Sequence, residues 1–223
     1  MVIAAAVPEP LSEAARRWLL FVARRALRGA MTQRDVEASA LPIGEATRPS
    51  EPRLALPARV FVGWHDGREL IGRVGCLEPW PCLEQAVVRY AVQAGLHDTR
   101  SSPVRPGRWG RIRGEISVLG EPSELAVVGL AAIEAALEPG RDGVILSLGA
   151  RQAAFLPTTW RELPRPRDVL AALVRRAGLS PEHDGARLRA RVFRAETFEA
   201  PVVPAPAPLP RECPATHDMH AMH

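Results

Sequence analysis

With 223 residues, 47% of them hydrophobic and 24% charged, the chain has room for one sizeable domain or two small ones and is too apolar to be mainly disordered. A folded unit of this size hides roughly 70% of the surface its unfolded chain exposes, so its core needs neither disulfides nor a structural metal. The net charge is +4, all 29 cationic side chains are arginine, and lysine and asparagine are absent, which excludes a Gly-Lys phosphate loop, a lysine Schiff base, an N-glycosylation acceptor and a Cys-His-Asn triad.

Arginine stays protonated at any physiological pH, so the positive balance persists. It permits anionic ligands, yet falls short of the dense basic field that would itself argue for nucleic acid, which is not expected as a partner. Cys76, Cys82 and Cys213 are an odd number at no metal-ligand spacing, a pattern suited to a reducing compartment. The cytoplasm is the expected location, without membrane insertion, because the apolar stretch 18–23 is flanked by arginines and is too short to span a bilayer.

In chain order, residues 12–28 predict an amphipathic helix with Ser12 as N-cap, Glu13 in the first turn, Arg24, Arg25 and Arg28 near the end and Gly29 as the stop. Leu11, Ala15, Trp18, Leu19, Val22 and Ala26 supply its buried stripe. A basic helix of this kind also suits an anionic membrane surface, although the short stripe counts against it. A proline-containing connection over 41–57 leads to two apolar runs, 59–64 and 68–77, around Asp66-Gly67, which read as a β-hairpin. Residues 83–96 predict a helix with Leu83, Val87, Tyr90, Ala91 and Ala94 on one face.

An arginine-rich loop precedes a strand in which Ile112, Ile116 and Val118 face one way and Arg111, Arg113, Glu115 and Ser117 the other, an alternation that predicts one wet face. Residues 126–137 predict a helix ending at Pro139-Gly140. A second hairpin follows over 143–148 and 152–156, then a helix over 168–177 and a last strand over 187–193. Hairpins and helices mix without a regular βαβ alternation, so the expected fold class is α+β, a mainly antiparallel sheet with flanking helices. From residue 200 onward, recurrent prolines indicate an extended tail. The expected organisation is an N-terminal helix and connection over 1–57 packed on the body, an α+β body over 58–199, and a flexible Pro/His-rich tail over 200–223.

Several ordered segments resemble the AMMECR domain family, known in prokaryotes as AmmeMemoRadiSam system protein A. A family segment of the form DGELRGCIGSLE is similar to the run from Asp66-Gly67 through Gly72, Arg73 and Gly75 to Cys76-Leu77-Glu78. The Asp-Pro-Arg-Phe and Glu-x-Ser-Val-Leu segments resemble Asp98-Thr99-Arg100-Ser101 and Glu115-Ile116-Ser117-Val118-Leu119. Pro139-Gly140-Arg141-Asp142-Gly143, and Phe155-Leu156-Pro157 with Trp160 behind it, are similar to two more. The resemblance implies an AMMECR-like α+β fold and company with a radical S-adenosylmethionine protein and a Memo-like protein, for which the chain would be an accessory or binding component. The family's signature Arg and Cys are replaced here by Ile71 and Arg73. Cys76 is no substitute, since three residues further along a strand its side chain projects from the opposite face.

The candidate binding residues are Gly72, Arg73, Gly75, Asp98, Arg100 and Glu115. Gly72 and Gly75 suit either a close approach of ligand to backbone or a bulge and tight packing. Asp98, Arg100 and Glu115, with His97 beside them, suit an anionic small molecule or a shared proton, and equally an ion pair that fixes a loop. Arg100, Arg105, Arg108, Arg111 and Arg113 around Trp109 suit phosphates and a stacked base, a solvated loop or a partner protein. Cys213, His217, His220 and His223 offer soft metal ligands without a second shell; His65 reads as a surface residue beside a turn. No residue set identifies a catalytic role, and no resident metal or cofactor is expected. An accessory protein, an enzyme acting on a small anionic substrate and a nucleic-acid module therefore remain the readings to separate.

Overall fold

The structure is a computed structural model that describes residues 9–31 and 47–201. Helix α1 (Glu13–Met31) starts where the Ser12 hydroxyl accepts the Ala15 N–H at 3.2 Å, the N-cap that the sequence predicts. Its apolar stripe meets helix α2 (Leu83–Leu96), where the Leu27 side chain fills the space over Gly95 that a Cβ would need. Both helices cover one face of an antiparallel sheet made of β1 (Arg59–Asp66), β2 (Glu69–Gly75), β3 (Ile112–Leu119) and β8 (Ala195–Pro201), in the order β2-β1-β3-β8. Trp64 is fully buried in this core and donates its indole N–H to the Ala91 carbonyl at 2.9 Å, so the large ring is hidden without an unpaired donor.

The second antiparallel sheet has the order β4-β7-β5-β6, from β4 (Ser123–Glu124), β5 (Gly143–Leu148), β6 (Arg151–Phe155) and β7 (Arg189–Phe193). Helices α3 (Leu130–Ala136) and α4 (Pro166–Arg176) pack on it over a core containing Ile133, Leu146, Leu173 and Leu188. A smaller apolar cluster of Leu119, Ile145, Leu156 and Phe193, with Phe61 against it, joins the two halves.

Several expectations are corrected, among them the stop at Gly29, which α1 overruns to Met31. The second face of β3 is not wet, since Glu115 and Ser117 are only 4% and 1% exposed; the apolar cluster between the sheets brings the second half over it. The strand β7 is not the last, for the chain returns through β8 to pair with β3, where only Phe198 of Glu196-Thr197-Phe198-Glu199 is buried. Glu196 also ties this strand to α1, accepting the Leu11 N–H and pairing with Arg16 at 2.7 Å. The 126–137 helix shortens to α3. Parts of the proline-containing connection and of the tail, including Cys213, His217, His220 and His223, lie outside the described residues.

Candidate functional site: a polar cleft between the sheets

Strand register creates the floor of the site. Arg73 of β2 and Glu115 of β3 both stand opposite Gly63 of β1. Because Gly63 has no side chain, the Arg73 guanidinium reaches across it to place Nη2 2.6 Å from Glu115 Oε1; a Cβ on Gly63 would lie 3.3 Å from Arg73 Nε. Further along β1, His65 Nε2 is 3.7 Å from the other Glu115 oxygen. A buried carboxylate needs such a partner, because leaving it alone in a dry interior costs several kcal/mol.

Register shifts between Trp64 and His65, so that β2 carries an additional residue, Ile71, at this point. A bulge re-aims neighbouring side chains. Ile71 packs into the helix-covered core, while Arg73, two residues on, lies on the opposite face.

The turn after α2 closes the edge of β2. Asp98 Oδ2 accepts the Arg73 N–H at 2.9 Å, and the Arg100 guanidinium donates to the Arg73 carbonyl. Arg100 also grips Asp98 through Nε at 2.8 Å and Nη2 at 2.7 Å. Together they serve the exposed peptide of an edge strand as a neighbouring strand would. The Arg100 side-chain hydrogen bonds, helped by the two backbone N–H groups, hold the Asp98 carboxyl down at about 2.

The opposite wall comes from the second half of the molecule. Phe155 ends β6, Thr158 and Arg161 belong to the short 3-10 turn Pro157–Arg161, and Arg176 ends α4. With the floor they enclose a cleft of about 360 Å³, within the usual range for small-ligand sites. The Arg176 guanidinium lies 5.5 Å from the centre of the Phe155 ring. Burial, then repulsion by Arg100 and Arg73, lowers its pKa, while Asp98 partly offsets this.

Three buried polar atoms at the cleft, His65 Nε2, Arg73 Nε and Thr158 Oγ1, have no hydrogen-bond partner. Burial is the main cause that pushes the His65 pKa down, with the Glu115 charge opposing it.

Of the sequence candidates, the structure brings Gly72, Arg73, Asp98, Arg100 and Glu115 to this cleft, while Gly75 lies outside its lining. Packing accounts for both glycines: a Cβ would come within 2.1 Å of the Ala94 carbonyl oxygen at Gly72 and 2.2 Å of the Val60 carbonyl oxygen at Gly75. His65 is a correction, since it lines the cleft rather than the surface. Thr158, Arg161 and Arg176 were not singled out from sequence; the nearby Phe155-Leu156-Pro157 was the only signal pointing to that wall.

The arginine-rich loop is largely engaged by the protein itself. Arg111 and Arg108 lie 3.2 and 3.5 Å from Asp66, and Arg113 lies 3.2 Å from Glu199. Trp109 is half-buried with the Arg24 guanidinium 5.3 Å from its ring centre, so a stacked base would have to compete with that contact. Among the described residues, no helix is long and apolar enough to cross a membrane, and no His/Cys/Asp/Glu group is arranged to hold a metal ion.

Two antiparallel sheets, each backed by helices and joined over a polar cleft, define the class of α+β protein to which the chain belongs. The family model AMMECR1 matches residues 20–198, so the chain belongs to the AMMECR1 family. It is similar to a Methanopyrus kandleri protein, 33% identical over 169 residues, which span 70% of this chain and 80% of that protein. A Thermofilum pendens protein is 30% identical over 143 residues, or 61% of this chain and 67% of the relative. The crystal structure of the uncharacterised Pyrococcus horikoshii protein PH0010 matches with a TM-score of 0.72 and 25% identity, over 86% of this chain and 95% of that one.

Proposed function

We infer that this AMMECR1-family chain binds a small anionic ligand in the cleft between its two sheets. The observation that carries the reading is that His65, Arg73 and Thr158, each with a buried side-chain atom that has no hydrogen-bond partner, line one cavity. An unsatisfied buried polar group costs about 1–3 kcal/mol, and a bound molecule offering hydrogen-bond acceptors would remove part of that cost at each atom. The sign of the ligand follows from the surrounding charge. Asp98 and Glu115 are taken by Arg100 and Arg73, whereas Arg161 and Arg176 line the cleft with no ion pair found for either among the described residues, Glu162 being the remaining acid there.

Binding is favoured over covalent chemistry because the position that the family resemblance gives to a cysteine is Arg73 here. In wild-type protein, citrate or inorganic phosphate should raise the melting temperature beyond sodium chloride of equal ionic strength, and Arg176→Ala should reduce that rise. Equal effects of all three salts, or an undiminished rise in the variant, would contradict the assignment.

The accessory role beside a radical S-adenosylmethionine protein and a Memo-like protein, in the cytoplasm, is supported by the family resemblance and is compatible with a ligand-binding cleft. Co-purification from the native host should recover those proteins; a clean negative would count against that role and leave the cleft reading untouched.

A further inference from the structure

The cleft has a neighbour. A second groove, of about 480 Å³, adjoins it and shares Leu70, Ile71, Arg100 and Ser101 with its lining. Arg105 and Arg108 line this groove and not the first cleft, with Glu69 as the acid in the same lining. Arg108 is shared between Asp66 at 3.5 Å and Glu69 at 4.0 Å, so Arg105 is the main cation this groove leaves for a ligand. Arg105 is exposed and has no ion pair among the described residues. Ser102, also exposed, adds a hydroxyl to the same wall.

Arg100 is central to the arrangement. Its guanidinium is held by both Asp98 oxygens and by the Arg73 carbonyl, so it is a fixed cationic post at the boundary of the two spaces. Leu70, 37% exposed, gives the same boundary an apolar rim. A molecule crossing it would pass from buried donors, along aliphatic surface and a fixed guanidinium, to a second group of exposed cations.

We propose that cleft and groove form one two-part site for an elongated ligand with two separated anionic groups, of the dicarboxylate or phosphorylated-carboxylate type. One anionic group sits between the sheets and the second lies outside, near Arg105 and Arg108. This deepens the ligand reading above and rests on it. The apolar rim favours a hydrocarbon segment between the charges, because a continuously charged chain would have to strip water against Leu70 with Arg100, already held by Asp98, as the cation at that boundary. The outer contact is solvent-exposed and therefore modest, and screened by salt.

The test uses α,ω-dicarboxylates of increasing length as rulers, each compared by calorimetric titration with the monocarboxylate of equal chain length. Wild-type protein should prefer the best dicarboxylate by about 3- to 10-fold, the scale of one charge-assisted contact. The preference should peak at one chain length, shrink with added salt, and be cancelled in the ratio by Arg105→Glu. The milder Arg105→Ala should reduce it partly, and keeps the test available if charge reversal disturbs the loop. Equal binding of mono- and dicarboxylates, or a preference indifferent to both variants, overturns the two-part site while leaving the single cleft intact. If neither series binds, the cleft reading falls and the two-part site with it.

Discussion

The two faces of the sheet β2-β1-β3-β8 are both covered, yet they are built on opposite rules. Toward α1 and α2 the sheet presents Val60, Val62, Trp64, Ile112, Ile116 and Val118, all in one apolar core. Toward the second half it presents His65, Arg73, Glu115 and Ser117. Ser117 finds Thr197 at 2.8 Å, while His65 Nε2 and Arg73 Nε find no hydrogen bond. One face gains stability by excluding water; the other carries buried polar atoms that its covering leaves without hydrogen bonds, the feature on which the proposed ligand reading rests. The covering of the second half over the polar face lowers its exposure without supplying its missing partners.

That contrast can be broken from either side, and the largest effect should come from the apolar face. Trp64→Ala removes a fully buried ring and should cost about 3–5 kcal/mol, read by urea unfolding. A loss below about 1 kcal/mol would mean that the helices do not pack on the sheet as described.

On the polar face, Arg73→Met should cost about 3 kcal/mol, because Glu115 is left buried without its cation. Adding Glu115→Leu should recover most of that loss. If stability returns while citrate binding stays lost, the ion pair serves the ligand; if binding returns as well, the pair serves only the fold.

The edge clamp should give the smallest signal. The pKa of Asp98 in the folded protein is depressed to about 2 from an ordinary value of 3.8. Its stabilisation is therefore fully present above pH 3.8 and is lost as pH falls through about 2. With Arg100 49% exposed, about 1–2 kcal/mol is the expected size. Asp98→Asn should flatten that part of the acid unfolding profile, and an unchanged slope would contradict the clamp.

The contrast also explains what the sequence made legible. Helices α1 and α2 and both hairpins could be read because Trp18, Val22, Val87 and Ala91 repeat with helical period, and Asp66-Gly67 and Gly149-Ala150 mark the turns. The fate of Glu115 could not be read, since alternation along β3 separates two faces but does not say whether a second layer covers the polar one. Strand β8 was hidden by sparse apolar content, Phe198 being the only buried side chain of Glu196-Thr197-Phe198-Glu199. The bulge at Ile71 left no local mark, because its effect appears only when β2 is paired with β1. Thr158, Arg161 and Arg176 come from distant parts of the chain, and only the joining of the halves through Leu119, Ile145, Leu156 and Phe193 puts them opposite Arg73.

The most direct measurement follows the ring nitrogens of His65 by nuclear magnetic resonance in protein labelled at histidine, during titration with citrate. A buried imidazole nitrogen lacking a hydrogen bond should shift saturably as the anion fills the cleft, and Arg176→Ala should move the midpoint to higher concentration. A His65 signal that stays flat while the exposed His97 drifts with ionic strength would contradict a ligand site between the sheets.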